Sequence, residues 1–471
     1  MQDTQQTKEE TMRNTGAIFT ALAVTSALVL TACSGAAAPE DKSLTVWTIE
    51  DVADRVTTQE QMMADFTKES GIKVKLVAVA EDQLTTALTS AAASGDMPDA
   101  IAAVPLNSVQ QFATDDLLDT DAAAAVIKAL GEDTFSKRAL ELTSDGNTRL
   151  SVPSDGWAQL LFYRSDLFKA AGLEAPTTFD AIEKAAATLD SDDVAGITVA
   201  TAPGDGFTQQ TFEHFALANG CELVDNDGKV ALDSPECVKV LDFFTSLVQK
   251  YSVAGNQDVD TTRATYFSGG AAMVVWSSFL LDELAGLRND ALPTCKECEA
   301  DPAFLAHNTG IVSAIEGPNG SEPASYGEIV SWTIMDGAAD STQDLVKWMM
   351  DDAYTDWLAI SPEGKVPTRL GTADEPNKFA DAWQSLQAGV DKKALLSSIY
   401  SPEALKAVAE APNGFDRWGL PQGQGPLSGA VSGQLVMPKI ISDMLNSHLS
   451  AQDAAKRAAK EATEIQDDLD F

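Results

Sequence analysis

Between residues 44 and 104 the chain switches hydrophobic period four times, and this alternation limits its possible folds more than any other feature. Leu44-Thr45-Val46-Trp47-Thr48-Ile49 is apolar and β-branched, as a strand requires. Val56, Met62, Met63 and Phe66 recur at near-helical spacing, and Gly71 stops that run. Ile72, Val74 and Leu76 alternate with lysines and lead into Val77, a second strand. Residues 83–94 read as a helix followed by Gly95 and Pro98, and residues 99–104 as a third, apolar strand. Strand, helix, strand, helix, strand is the pattern of an α/β domain.

The style repeats downstream. Strands are expected at 160–163, 197–200 and 272–275, and helices at 166–171, 178–189, 235–250 and 436–467. Trp348, Trp357 and Trp383 fall in helical stretches and are expected to pack in cores. The chain has 471 residues, enough for two or three domains' worth of core, yet shows no internal repeat and no long linker. Domains without a linker point to lobes that the chain crosses more than once.

The start of the chain points to export. Residues 17–30 (AIFTALAVTSALVL) are apolar but short of the ~20 residues a comfortable membrane span needs. They suit the apolar core of a signal peptide, with Arg13 before them. The competing reading, a buried core helix, has nothing at this end to cover it. MQDTQQTKEET carries Asp3, Glu9 and Glu10, so translation is expected to start at Met12, with 1–11 an over-called start and 12–32 the signal. Leu30-Thr31-Ala32-Cys33 resembles the bacterial lipobox. The resemblance implies that Cys33 is lipidated, opens the mature chain and anchors it to the cell membrane. Residues 33–43 are small and polar, a flexible tether.

The formal charge of −39 repels nucleic acid and anionic lipid and disfavours strongly anionic ligands. Neutral and cationic ligands remain open. Beyond Cys33 the cysteines fall in two close pairs, Cys221/Cys237 and Cys295/Cys298, which in an exported chain read as disulfides. The first pair would staple a hairpin around Asp225-Asn226-Asp227-Gly228. CKEC at 295–298 has redox spacing, but export favours a small structural loop, and no second CxxC or His cluster completes a metal site.

Several local motifs, in order, resemble the extracellular solute-binding proteins of ABC importers, in the carbohydrate family typified by maltose-binding protein. LTVWT is similar to the opening strand, FTKESGIKVKLVAV to the first helix end and second strand, and SAAASGDMPDAIAAV to the next helix and strand. VPSDGWAQLLFYRSDLFKAAGLEAPTTFDAIEKAAATL resembles the crossing into the second lobe, YFSGGAAMVVWSS a cleft strand, and PEGKVPTR a late return crossing. Arg164, Phe279 and the cysteine pair within 292–300 depart from the family pattern.

The resemblance implies two α/β lobes of the type II periplasmic-binding-protein fold, joined by a hinge of about three crossings, with the ligand in the cleft between them. The crossings are expected near 156–159, 308–315 and 364–368. The first lobe then comprises 44–156 with 309–364, and the second 157–308 with 365–471. The implied function is capture of a carbohydrate, expected to be an oligosaccharide, by a monomer that delivers it to an ABC permease. No cofactor or metal is expected.

Sugars present apolar faces ringed by hydroxyls, so their sites need flat rings and paired polar groups. The candidate rings are Trp47, Trp157, Phe207, Trp276, Trp332 and Trp418. Polar candidates come from loops after strands: Glu50, Asp51, Asn107, Gln210, Glu328 and Arg417, with His214 and Gln422 beside them. A core role competes for each ring and for His214, and surface solvation competes for each carboxylate. Two other readings stay open. The same fold could bind a polyamine or other cation through acidic loops and aromatic faces. An exported glycosidase could use two carboxylates, although no G-x-S-x-G, H-E-x-x-H or phosphate-loop motif occurs and the three His are far apart.

Overall fold

The computed structural model describes residues 43–469. The segments expected above to be a signal peptide, a lipidation site at Cys33 and most of a tether lie outside the described residues.

The opening alternation folds as expected. β1 (Ser43–Thr48) buries Leu44 and Val46. The helix Ala53–Ser70 lays Met62, Met63 and Phe66 into the core and stops at Gly71, whose φ of 75° lets its N–H reach Thr67 O. β2 (Lys73–Ala78) and β3 (Ala100–Pro105) flank β1, both parallel to it. A small hairpin, β4 (Ser144–Asp145) and β5 (Thr148–Arg149), precedes the strand that organises the molecule.

That strand, β6 (Val152–Arg164), serves two sheets. Its first half pairs antiparallel with β9 (Ser325–Ile334) and with β10 (Val366–Pro367), completing the order β10-β6-β9-β3-β1-β2. Its second half, from Gln159 on, pairs with β7 (Met273–Ser277) and β8 (Thr309–Val312). One strand thus takes part in both sheets. The second crossing falls between β8 and β9. Residues 309–312, assigned above to the first lobe, pair instead with the second sheet, because Ile311 and Val312 lie opposite Phe162 and Leu161. β10 returns the chain to the first half of β6, Val366 opposite Gly156. Beyond it come the short pair β11 (Gln387–Ala388) and β12 (Ala394–Leu395), and then β13 (Phe415–Asp416), parallel to the start of β9.

The second lobe is built on the helix Gly206–Ala218, which the helices Pro235–Tyr251 and Val436–Ser447 cover. Residues 436–467 do not form one helix. His448, at φ 56°, breaks the run, and a separate helix, Ala451–Leu469, folds back onto Val436–Ser447. Residues 197–200 are buried but touch the second sheet only through the isolated Thr198–Val274 bridge, so they form no regular strand. The two disulfides form as read from the sequence. Cys221–Cys237 ties the 224–230 turn to the start of a helix, and Cys295–Cys298 closes a short loop. Trp357 and Trp383 are core residues, while Trp348 is half-buried against Phe66.

Candidate functional site

A cavity of about 460 Å³ opens where the strand ends of the first lobe face the second lobe. Open α/β sheets bind ligands at such strand ends. The loop after β1 supplies Glu50 and Asp51, the first turn of the helix Ala53–Ser70 supplies Arg55, and β3 supplies Ala103 and Pro105. β6 supplies Asp155 and Trp157, and β9 supplies Glu328 and Val330. The second lobe adds Gln210 and Phe279, and the third crossing adds Gly364 and Lys365.

Backbone geometry shapes this wall. β3 bulges between Ile101 and Val104, and Ala103 within the bulge has φ 62°, a conformation of the kind that collects at functional sites. Gly364 lies so close to Phe279 that a Cβ would fall 2.0 Å from the ring, so only glycine lets the two lobes meet there. Phe279 in turn leans on Trp157, centroids 6.5 Å apart, and Trp157 on Tyr326 at 5.8 Å. The half-buried Trp157 indole thus has aromatic support and an edge of the cavity to itself.

Two charged networks line the floor. In the first, the buried Lys365 ammonium lies 2.5 Å from Glu50 Oε1 and 3.2 Å from Asp155 Oδ1. Arg55 holds Glu50 Oε2 at 2.7 Å. Ser154 and the Trp357 indole N–H donate to Asp155 Oδ2. Burial opposes the charge on Glu50, but Lys365 and Arg55 together outweigh it and hold the carboxyl down at about 2. Burial dominates for Asp155, whose pKa is raised despite the same lysine.

In the second network Arg417 lies 2.5 Å from Glu328 Oε2 and 4.5 Å from the Tyr326 ring centre. The Leu106 N–H, at the start of the helix Leu106–Thr114, donates to Glu328 Oε1 at 2.8 Å. Beneath it Glu213 faces Arg417 Nε at 3.6 Å and accepts from the Trp418 N–H. His214 is a core residue: burial holds its pKa down at about 3, and its Nδ1 accepts from the Tyr326 N–H.

Of the residues singled out by sequence, Glu50, Asp51, Trp157, Gln210 and Glu328 meet at the cavity. Arg417 lies directly behind Glu328. Asn107 stands on the first turn of its helix and faces Gly429 of the second lobe, outside the cavity wall. Five rings are corrected. Trp332 is buried against Trp357, centroids 5.6 Å apart. Trp418 is buried edge-on to Phe212 and spends its N–H on Cys221 O. Phe207 and Trp276 pack at a tilt against each other in the core, with the Trp276 N–H bonded to Val259 O. Trp47 packs on a satellite core under β3. Each indole N–H that finds a buried acceptor fixes its ring inside the lobe rather than at the cleft.

Sequence reasoning passed over Arg55, Asp155 and Lys365. The signal for the last two was a charged residue inside an otherwise apolar crossing, in VPSDGW and PEGKVPT.

A larger cavity, about 750 Å³, lies on the opposite face of the β6–β9 pair. Trp157 and Glu328 are cross-strand partners on the cleft face, whereas Gly156 and Gly327 turn the other face toward Phe415, which lines the larger cavity.

The sequence profile of the bacterial extracellular solute-binding proteins matches residues 51–291, and this chain belongs to that family. Its members bind solutes for transport, so the chain is a binding protein and not an enzyme. Among relatives, it is 27% identical over 389 residues to YcjN of Escherichia coli (strain K12), provisionally named an ABC transporter periplasmic-binding protein. That match covers 80% of this chain and 84% of the relative. The fold is similar to maltose-bound MalE3 of T. maritima, with a TM-score of 0.64, 18% identity, and 90% and 99% of the two chains covered. It is also similar to the cyclic α-maltosyl-1,6-maltose binding protein of Arthrobacter globiformis, with a TM-score of 0.66, 19% identity, and 90% and 98% covered. The two-lobe architecture is therefore that of the maltose-binding type. Among the described residues no helix is long and apolar enough to cross a membrane, and no group of His, Cys, Asp or Glu is placed to hold a metal ion.

Proposed function

We propose that this protein captures a carbohydrate between its lobes and delivers it to an ABC permease, held at the membrane by lipid on Cys33. The observation that carries the reading is Trp157: a half-buried indole, braced by Phe279 and Tyr326, on a cavity that Glu50, Asp51, Asp155, Gln210 and Glu328 also line. That combination of a flat apolar face and acceptor groups suits a sugar ring. The sugar ligands named for the two similar structures support it. Glu50, Asp51, Gln210 and Glu328 would take the hydroxyls.

A thermal-shift panel of maltose, maltodextrins, polyols and spermidine tests this, because a ligand that binds the native state raises its melting temperature. Neutral sugars should shift the protein. Spermidine acting alone would favour the cationic reading, which the exposed Asp51 supports. Trp157→Ala should weaken sugar binding by about 1–3 kcal/mol while the fold survives. Unchanged affinity in calorimetry would remove that ring from the site. For the anchor, Cys33→Ser should release the protein from the membrane fraction. Retention after a salt wash would defeat the lipoprotein reading.

A further inference from the structure

Glu50 occupies an unusual place among the cleft residues. Each of its two oxygens already holds one cation, Lys365 on one side and Arg55 on the other, yet the residue still lines the cavity. A carboxylate offers about four acceptor positions, so capacity is left for a ligand. Its two cations are themselves held. Arg55 also donates to Ser361 Oγ at 3.2 Å. Lys365 is almost wholly buried, bonded to Asp155 and 4.4 Å from the centre of the Trp357 ring. Asp155 is fixed in turn by Ser154 and Trp357. The chain Glu50–Lys365–Asp155 therefore ties a cleft carboxylate to the first and third crossings between the lobes. A lone surface carboxylate would rotate and stay hydrated, whereas this one has its orientation and charge set before any ligand arrives.

We infer that Lys365 is a positioning residue, which fixes the Glu50 carboxylate as a preorganised acceptor for two neighbouring hydroxyl groups of the ligand. The inference rests on the carbohydrate reading of the cleft. It makes a vicinal diol the ligand feature recognised at Glu50. A lysine that served only to neutralise buried Asp155 would leave Glu50 indifferent to its loss.

The test follows the Glu50 carboxyl by 13C NMR titration of the ligand-free protein, together with calorimetry using maltose as the probe from pH 4 to 8. In the wild type Glu50 should titrate at about 2 and maltose affinity should be flat across that range. In Lys365→Met the Glu50 midpoint should rise to the ordinary carboxylate range, about 4, or above it. Maltose affinity should then fall roughly tenfold and drop further as the pH is lowered through that midpoint. Lys365→Arg should restore both behaviours. Should Lys365→Met fail to fold because Asp155 is left unpaired, the double variant Asp155→Asn/Lys365→Met removes both charges and carries the same expectation for Glu50. An unmoved Glu50 midpoint in a folded variant overturns the proposal, whatever happens to stability. A moved midpoint with unchanged maltose affinity overturns the ligand half of it. If the wild type binds no maltose, the carbohydrate reading loses support for this probe, and the titration alone decides whether Lys365 positions Glu50.

Discussion

Arg417→Leu should destabilise the protein by about 3–5 kcal/mol, the cost of removing one partner from a buried charge network. Arg417 is 4% exposed and serves two carboxylates, Glu328 at 2.5 Å and Glu213 at 3.6 Å, while lying over the Tyr326 ring. Glu213 is itself buried, and the neighbouring Asp416 already pushes its pKa upward along with burial. Without the guanidinium two carboxylates stay behind in the core beside a third. Lowering the pH lets Glu213, whose pKa burial already raises, protonate, so the deficit should shrink in acid. Urea unfolding at pH 7 and pH 5, followed by tryptophan fluorescence, checks both points. A loss under about 1 kcal/mol at pH 7 would mean that water reaches these groups. The triple replacement Glu213→Gln/Glu328→Gln/Arg417→Leu should recover part of the loss, because no charge is then orphaned.

Asp282→Asn should do the opposite and stabilise the protein, increasingly so as the pH rises. Asp282 is fully buried, and among the described residues neither carboxylate oxygen has a hydrogen-bond partner. Burial raises its pKa to about 8, and the Glu363 and Glu283 carboxylates add to the rise, while Arg288 opposes it. Tyr400, buried beside it, donates its hydroxyl to Leu281 O and so brings no compensating charge. The folded chain therefore keeps a proton that the unfolded chain releases above about pH 4. Between roughly pH 4 and 8 the wild type should lose stability, by up to about 1.4 kcal/mol per pH unit from this group. Above pH 8 the penalty is complete. Asparagine cannot titrate, so the gap between variant and wild type should widen from pH 5 to 8 and then level off. Parallel stability profiles across that range would show that the Asp282 carboxyl is ionised in the folded protein throughout.

The parts of the molecule legible in sequence are those where one local signal decides the outcome. Met62, Met63, Phe66 and Gly71 announce a helix and its end with no help from elsewhere. The extended run of β6 was placed by its resemblance to the family's crossing motif, VPSDGWAQLLFYR, rather than by any single local residue. The break at His448 was not visible, since helix-compatible residues continue on both sides and nothing local demands a left-handed residue there.

The rings failed for a related reason. Trp332 shares strand parity with Glu328, but it lies four residues further into β9, where Trp357 covers that face of the sheet. Alternation gives the face and not what lies over it. Trp418 follows Arg417, whose burial against Glu213 and Glu328 pulls the whole loop inward. Lys365 was hidden because its meaning depends on Glu50 and Asp155, each more than 200 positions away. Only the fold brings the three together.

If the ligand sits between the lobes, then binding must favour the state in which both lobes touch it, since a ligand shifts an equilibrium only by its differential affinity for the two states. Small-angle scattering of the wild type, with and without a saturating sugar taken from the thermal-shift panel, reads this directly. The radius of gyration should fall when the sugar binds, and the fall should be lost in Trp157→Ala at a concentration that variant does not bind. A radius that stays constant while calorimetry shows the sugar bound would contradict capture between the lobes.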